Sequence, residues 1–211
     1  MKTLEELSQL LFPTRCYGCN LIGLSICSLC RREWHPHYYV THVQDLKVHS
    51  AILYSPTASK IILAAKENGL KGAEQLIVDA IVHVLNRANF DSFNIRLVPI
   101  PSSKVNSRRR GRDFISDLCS EISNRTNIPV APVLVFARTV KDQSGLSARD
   151  RALNMKGAFA LAPGVYPRGD LILIDDVVTT GATVAEAARA LNSHGFHPLS
   201  SVTACVAQPL R

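Results

Sequence analysis

Apolar and polar residues occur along the chain in blocks that predict strands and helices in turn. Five apolar runs have the length and the residue types of strands: 48–54, 95–100, 133–136, 171–175 and 200–207. Four segments between them space their apolar residues as helices do: 56–67, 72–88, 111–126 and 183–191. Because strands alternate with helices, we predict an α/β fold with a mostly parallel sheet and helices on both faces.

The beginning of the chain follows another pattern and predicts a separate unit. A short docking helix is predicted there, with leucines on one face and glutamates on the other, which disfavours a membrane-surface role. Residues 34–46 are rich in His and Tyr without a steady period, and we interpret them as a linker. The predicted division is therefore 1–47 for the helix, a cysteine module and the linker, and 48–211 for the α/β domain.

Four cysteines within 1–47 follow the pattern Cys-x2-Cys-x7-Cys-x2-Cys: Cys16, Cys19, Cys27 and Cys30. Each pair can form a tight turn that directs two sulfurs to one centre, so the two pairs predict a tetrahedral thiolate site for structural zinc. An iron–sulfur cluster is the main rival metal centre. Two disulfides or four free thiols are the alternatives without a metal. So small a module would hardly fold without a metal.

Composition sets the class of protein. A hydrophobic content of 46% over 211 residues suffices for the core of one α/β domain with a small appendage. No apolar stretch approaches the roughly 18 residues of a membrane span. The sequence therefore predicts a soluble, cytoplasmic protein.

A turn rich in hydroxyl groups follows the apolar run 171–174. Asp175 and Asp176 end that run, and an Ala-rich helical pattern begins at Thr183. Backbone N–H groups at the start of a helix, together with hydroxyl groups, form a phosphate site. The two acids would repel a phosphate, so we expect them to accept hydrogen bonds from vicinal hydroxyls or to hold a divalent cation. This combination predicts a ribose 5-phosphate site, and the alternative is an ordinary turn whose acids cap the helix.

The net charge of +7 owes much to one loop after the run 95–100, with five cations: Lys104, Arg108, Arg109, Arg110 and Arg112. This basic loop is expected at the ligand-bearing edge of the sheet. There it would bind a pyrophosphate, follow a nucleic-acid backbone, or be solvated only, and the charge run does not separate these roles.

Residues 137–154 mix polar and charged residues around one glycine and resemble an active-site lid with a helical second half. Closure of such a lid excludes water and brings cations to a leaving pyrophosphate, for which Lys141 and Arg149 are candidates. An exposed connecting loop is the alternative.

Residues 171–183 resemble the complete phosphoribosyl-pyrophosphate motif of type I phosphoribosyltransferases: four apolar residues, two acids, two apolar residues, Thr-Thr-Gly, one residue and Thr. Nearly the whole chain also resembles the ComF family, which is related to GntX. The likeness includes Leu-Phe-Pro before the cysteines, Leu-Val-Pro-Ile-Pro at 97–101, and the arginine run up to Gly111. It continues through six further points: Thr139, Gln143, Leu146, Arg151, Asn154 and Gly157-Ala158-Phe159.

Two positions depart from the family pattern. Arg112-Asp113-Phe114 stands where the family follows Arg-Gly with Phe-Asn-Gln. Lys66-Glu67 stands where the family has a Lys followed by an aromatic residue.

These resemblances imply a fold of the type I phosphoribosyltransferase kind and a set of site residues. Asp175 and Asp176 would be the catalytic acids, on the ribose hydroxyls. The implied substrate-binding residues are Val178, Thr179, Thr180, Gly181, Ala182, Thr183, Lys104, Arg108, Arg110, Lys141, Gln143 and Arg151. Magnesium would accompany phosphoribosyl pyrophosphate, and the four cysteines would hold structural zinc.

Three functions remain open on the sequence. The first is transfer of phosphoribosyl from phosphoribosyl pyrophosphate to a nitrogen acceptor. The second is a competence factor that binds single-stranded DNA or an uptake-machinery partner, with Tyr17, Trp34, Tyr38 and Tyr39 available for stacking on bases. The third is a regulator that senses phosphoribosyl pyrophosphate without consuming it.

Overall fold

A computed structural model of the chain describes residues 13–90, 94–102, 111–141 and 145–208. The described helices are α1 (Ser28–Glu33), α2 (Pro56–Lys66), α3 (Lys71–Ala88), α4 (Phe114–Thr126), α5 (Ala148–Met155) and α6 (Ala182–Asn192). The described strands are β1 (Tyr39–Val43), β2 (Leu46–Leu53), β3 (Ile95–Pro99), β4 (Leu134–Phe136), β5 (Phe159–Leu161), β6 (Asp170–Val178) and β7 (Ser200–Val206).

Side-chain caps explain where several helices begin. Ser55 accepts a hydrogen bond from the N–H of Ala58 at 3.1 Å, and Pro56 occupies the first helical position of α2. Asp113 caps α4 and Ser147 caps α5 in the same way. The four helices predicted from apolar spacing are confirmed, and the predicted helical second half of 137–154 is α5.

Five strands form the main sheet in the order β1-β2-β7-β6-β3. The pairs β2–β7, β7–β6 and β6–β3 are parallel, and only β1 runs antiparallel to its neighbour. The prediction of a mostly parallel sheet is confirmed. β6 is flanked on both sides and is buried along nearly its whole length, as expected for a strand covered on both faces.

Two apolar clusters cover the two faces of this sheet. One contains α2, α3 and α4, and the other contains α6 with β4 and β5. Helices therefore lie on both faces, as predicted. None of the helices among the described residues is long and apolar enough to cross a lipid bilayer.

The region 34–46 is not a linker throughout, because Tyr39–Val43 is the edge strand β1. Half-buried and exposed residues alternate along β1. Because several of these residues are polar, the alternation is not visible in the hydropathy of the sequence. The strand predicted at 133–136 is confirmed as β4, but it pairs with the unpredicted β5 in a separate two-stranded sheet. β6 extends to Val178, so the two acids lie inside the strand and not after it.

The cysteine module, residues 13–34, packs against the α/β domain through a shared core. Cys16, Ile26, Cys30 and Trp34 are buried in the same cluster as α2 and α3. The Trp34 Nε1–H donates to the carbonyl of Leu76 in α3 at 3.2 Å. Gly18 lies so close to the start of α2 that an added Cβ would meet Thr57 Cγ2 at 2.8 Å. The boundary at residue 47 stays a prediction.

Candidate ligand pocket and four-cysteine centre

A pocket lies where β6 ends and α6 begins. It is lined by Asp175 and by residues 177–184. We call this lining the pocket, and the segment Thr179–Thr183 within it the phosphate loop. Because β6 is a central parallel strand, the pocket lies at the sheet edge where open α/β folds bind ligands.

Gly181 shapes the phosphate loop for two separate reasons. Its φ of 76° lies in the left-handed region, which side chains other than glycine rarely adopt. A Cβ at this position would also meet Val43 Cγ2 of β1 at 2.6 Å. The edge strand and the loop therefore fit together only with glycine at position 181.

Backbone N–H groups and hydroxyls meet at the start of α6. Gly181 is the N-cap and supplies no side-chain cap, and Thr180 Oγ1 accepts from the N–H of Ala182 at 3.3 Å. The first turn of a helix carries N–H groups without intrahelical partners and the positive end of the helix dipole. The arrangement is thus chemically suited to an anion such as a phosphate.

The two acids of β6 occupy different surroundings. Asp175 lines the pocket, whereas Asp176 is 2% exposed and its Oδ2 lies 2.6 Å from the Nζ of Lys66 in the last turn of α2. The N–H of Asp176 donates to Asp175 Oδ1 at 2.8 Å. The sequence predicted the same role for both acids, but of the two only Asp175 lines the pocket.

Their pKa values shift in opposite directions. Burial, followed by the charge of Asp176, raises the pKa of Asp175 well above its ordinary value. Burial also acts to raise the pKa of Asp176, but the charge and hydrogen bond of Lys66 outweigh it, so this pKa is lowered. Asp176 is therefore the acid that favours the carboxylate form.

Arg151 of α5 reaches the phosphate loop. Its Nη1–H donates to Thr179 Oγ1 at 3.1 Å, and its buried Nε has no hydrogen-bond partner among the described residues. Lys141 is exposed, and its backbone N–H and carbonyl are hydrogen-bonded to the side-chain amide of Asn154. Arg149 is exposed on α5. Of these three cations in the predicted lid, Arg151 is the one with a contact to the pocket.

Four predicted binding residues lie outside the described residues: Lys104, Arg108, Arg110 and Gln143. Arg112, assigned with them to the basic loop, is described and has another role. Its Nη1–H pairs with the buried Glu74 at 2.8 Å, and its Nη2–H donates to the carbonyl of Ala65 at 3.0 Å. Arg112 therefore joins α2 and α3.

The four cysteines form one centre, with all four sulfurs within 4.8 Å of one another. The sulfurs of Cys19 and Cys27 are 3.7 Å apart. Zinc–sulfur bonds of about 2.3 Å in a tetrahedron place sulfurs about 3.8 Å apart, so the spacing fits a metal of this kind. Burial acts to raise the pKa of Cys16, but N–H groups of the Cys27, Cys19 and Gly18 backbone outweigh it and lower that pKa to about 6, which favours the metal-binding thiolate.

No family model matches the chain. The DNA utilization protein YhgH of Escherichia coli O157:H7 is 36% identical over 190 residues, which cover 86% of this chain and 79% of that protein. The chain belongs to the ComF family. The ComF resemblance inferred from the sequence is therefore confirmed. Competence protein F of Haemophilus influenzae is 33% identical over 106 residues, or 49% of this chain, and the match spans less than half of that protein, 46%.

Among solved structures, this ComF protein is similar to an adenine phosphoribosyltransferase. The match has a TM-score of 0.48 at 13% identity and covers 87% of this chain and 92% of that enzyme. At this score the similarity adds no argument about chemistry. The α/β assignment rests on the strand order and the two helical layers.

Proposed function

We propose that the pocket binds the ribose 5-phosphate part of phosphoribosyl pyrophosphate or of a nucleotide, in a ComF protein that serves DNA utilization. The observation that carries this proposal is the phosphate loop at the carboxyl end of the central strand β6, with Asp175 on its rim. The 5-phosphate would lie on the N–H groups and hydroxyls of the loop, and Arg151 would add a positive charge. The names of two relatives, a DNA utilization protein and a competence protein, support the cellular role.

Two metals enter the proposal in different ways. Zinc fits the four thiols and would stabilise the cysteine module, because a shell of four cysteines leaves no open position for chemistry. Magnesium would arrive on the pyrophosphate of the ligand. Of the described residues, only the four cysteines form a cluster of metal-ligand type, so no separate magnesium site is proposed.

Transfer chemistry is the catalytic form of the same proposal. A nitrogen nucleophile would attack C1 of the ribose, and the C1–O bond to pyrophosphate would break. The phosphate loop and Asp175 would hold the ribose phosphate in place, and closure of α5 with Arg151 over the pocket would exclude water. No described residue identifies the acceptor.

Calorimetry with magnesium phosphoribosyl pyrophosphate tests the binding. We expect the native protein to bind, and Thr183→Val, which removes one hydroxyl from the pocket, to bind several-fold more weakly. Thr41→Val, on β1 and outside the pocket lining, is the matched control and should bind as the native protein does. A folded, zinc-loaded protein that binds neither phosphoribosyl pyrophosphate nor ribose 5-phosphate would refute the proposal. Pyrophosphate release with a panel of nucleobases then tests transfer.

A specific observation also favours single-stranded DNA binding as a second function. The rings of His35, His37 and Tyr39 follow one another with centroids 5.2 and 6.0 Å apart, and both histidines are exposed. A series of rings with two exposed histidines suits base stacking, and Arg31 and Arg32, which shortly precede it in the sequence, would supply charges for the nucleic-acid backbone.

This series replaces part of the stacking set predicted from the sequence. Trp34 is buried and hydrogen-bonded to α3, so it is not available to a base. Tyr38 lies against His49, with its hydroxyl 2.7 Å from Nδ1.

Fluorescence anisotropy with a labelled single strand tests this function. Affinity should fall steeply with salt, and the His35→Ala/His37→Ala variant should bind several-fold more weakly. His197→Ala, an exposed histidine after α6, is the control. Equal binding by all three proteins, or none by the native protein, would refute the DNA-binding function.

A further inference from the structure

We propose that Lys66 is a positioning residue that fixes the acid pair so that Asp175 recognises ribose hydroxyls, and that the pocket thereby selects ribose over 2-deoxyribose phosphates. This inference rests on the proposed function of the pocket. It assigns different tasks to the two acids: Asp175 contacts the ligand, and Asp176 holds Asp175 in place.

The contacts form a chain from α2 to the pocket. Lys66 Nζ lies 2.6 Å from Asp176 Oδ2, and the N–H of Asp176 donates to Asp175 Oδ1 at 2.8 Å. Asp175 in turn lines the pocket, and Asp176 does not. Lys66 is thus connected to the pocket through the two acids.

Lys66 is itself held in place. It lies in the last turn of α2, where the carbonyl of Ala65 accepts from Arg112. Its Nζ lies 5.9 Å from the centre of the buried Phe114 ring, and the guanidinium of Arg112 lies 5.2 Å from the same ring. The side chain of Lys66 is 25% exposed, so the ion pair is shielded from most of the solvent.

Stability alone is a poor explanation for this pair. A buried ion pair often contributes little to stability compared with apolar residues of the same volume, because both charges lose their water. The pair also lies directly beside the acid that lines the pocket. Lys66 supplies the positive charge that keeps Asp176 in the carboxylate form, and it fixes the strand segment that orients the Asp175 carboxyl group.

The two departures from the family pattern agree with this role. Glu67, which stands where the family has an aromatic residue, is exposed, whereas the preceding lysine is kept and reaches the acid. Phe114, whose ring lies within 6 Å of both cations, is fully buried. The sequence did not indicate the contact between Lys66 and Asp176, because the two residues are 110 positions apart.

The test compares three probes by calorimetry: ribose 5-phosphate, 2-deoxyribose 5-phosphate and inorganic phosphate. We expect the native protein to prefer ribose 5-phosphate over the 2-deoxy compound by about tenfold, roughly the net contribution of one hydrogen bond. In Lys66→Met this preference should fall to within about twofold, while affinity for inorganic phosphate stays at the native value, because the phosphate loop is unchanged.

Matched variants separate positioning from folding. Lys60→Met removes an exposed lysine from the same helix and should keep the native preference. Lys66→Arg keeps the charge and should restore most of the preference. Lys66→Met/Asp176→Asn removes both charges, so that no buried charge is left unpaired, and should still lack the preference if the ion pair positions Asp175. Thermal melting of each variant confirms that it is folded.

The outcomes distinguish this inference from the proposed function. A native protein that binds neither sugar phosphate refutes both. Native binding of ribose 5-phosphate with no preference over the 2-deoxy compound, or an unchanged preference in Lys66→Met, refutes the inference alone. A preference restored in the double variant also refutes it, because the pair would then serve only to balance buried charge.

Discussion

The four-cysteine centre is built from side chains alone, whereas the pocket combines backbone N–H groups with side chains around a turn that follows a central strand. In the cysteine module the thiols converge from two short turns, and only a few residues of the module are buried. The phosphate loop instead lies between a central strand and a helix, and its geometry is set by the sheet. The first region should therefore depend on its metal for its shape, and the second should keep its shape without a ligand.

Metal removal should have the largest effect, and it should act on one region only. We expect Cys16→Ser, or chelation, to release zinc and to lower the melting temperature by about 10 °C, because the loss of a structural metal is a loss of folding free energy. Trp34 is the single tryptophan of the chain, so its fluorescence reports the docking of the cysteine module on α3. In denaturant, the metal-free protein should lose that signal before it loses the circular dichroism of the sheet.

Cys119→Ala is the control for metal removal. This thiol is buried in α4, away from the centre, so the variant should lose stability but keep its zinc. If the metal-free protein lost both signals in one coincident transition, the two regions would not differ in the way described.

A change at Gly181 should damage the pocket without touching the metal. Gly181→Ala forces a side chain into the left-handed region and against Val43, and we expect a loss of about 2–3 kcal/mol together with the loss of phosphate binding. Gly195→Ala has nearly the same φ, 80°, but its Cβ meets nothing within 4 Å. Chemical denaturation should therefore show that Gly195→Ala lowers the free energy of unfolding by only about 1 kcal/mol. Equal losses at both positions would mean that the contact with Val43 plays no part.

Arg151→Met should weaken ligand binding and leave both regions folded. Because the guanidinium contacts Thr179 of the phosphate loop, we expect about tenfold lower affinity for ribose 5-phosphate. Arg149→Met removes an exposed arginine from the same helix and should bind as the native protein does. Calorimetry measures the affinity of both variants for ribose 5-phosphate. Equal affinities would show that Arg151 does not contribute to binding.

The smallest expected effect concerns β2, a strand that belongs to neither the cysteine module nor the pocket lining. Burial, followed by the charges of Lys47 and His42, lowers the pKa of His49 below its ordinary value of 6.5. The folded protein thus binds fewer protons than the unfolded chain below pH 6.5, so this contribution to stability is complete above that pH and is lost as the pH falls further. His49→Gln should reduce the loss of stability at low pH, whereas His35→Gln, at an exposed histidine, should leave it unchanged. Melting temperatures of the native protein and both variants between pH 5 and 8 test this prediction. Identical pH profiles for the native protein and His49→Gln would contradict it.

The sequence predicted best the parts of the fold that local patterns determine. The helices α2 and α3 and the strand β6 have strong periods or long apolar runs, and they were found. β1 was missed because His and Tyr conceal its alternation, and β5 was missed because a three-residue strand is too short to show any period. In the pocket, Asp175 and the phosphate loop followed from one contiguous motif.

The remaining parts of the site depend on contacts between distant positions. Nothing near Asp176 in the sequence indicates an ion pair with Lys66, and nothing in the basic run indicates that Arg112 pairs with Glu74. Both arise from the way α2, α3 and α4 pack on one face of the sheet. A local pattern supplies residue types, whereas their partners are set by the tertiary fold.

The helix α2 contacts the cysteine module near its first residues and the acid pair at its last turn. Each residue of an α-helix advances the axis by about 1.5 Å and rotates the chain by about 100°. One residue inserted into α2 would therefore turn Lys66 away from Asp176 whenever Thr57 kept its place beside Gly18. The length of α2 is therefore fixed by its contacts at both ends. Insertions or deletions are better tolerated in the loops on either side of this helix.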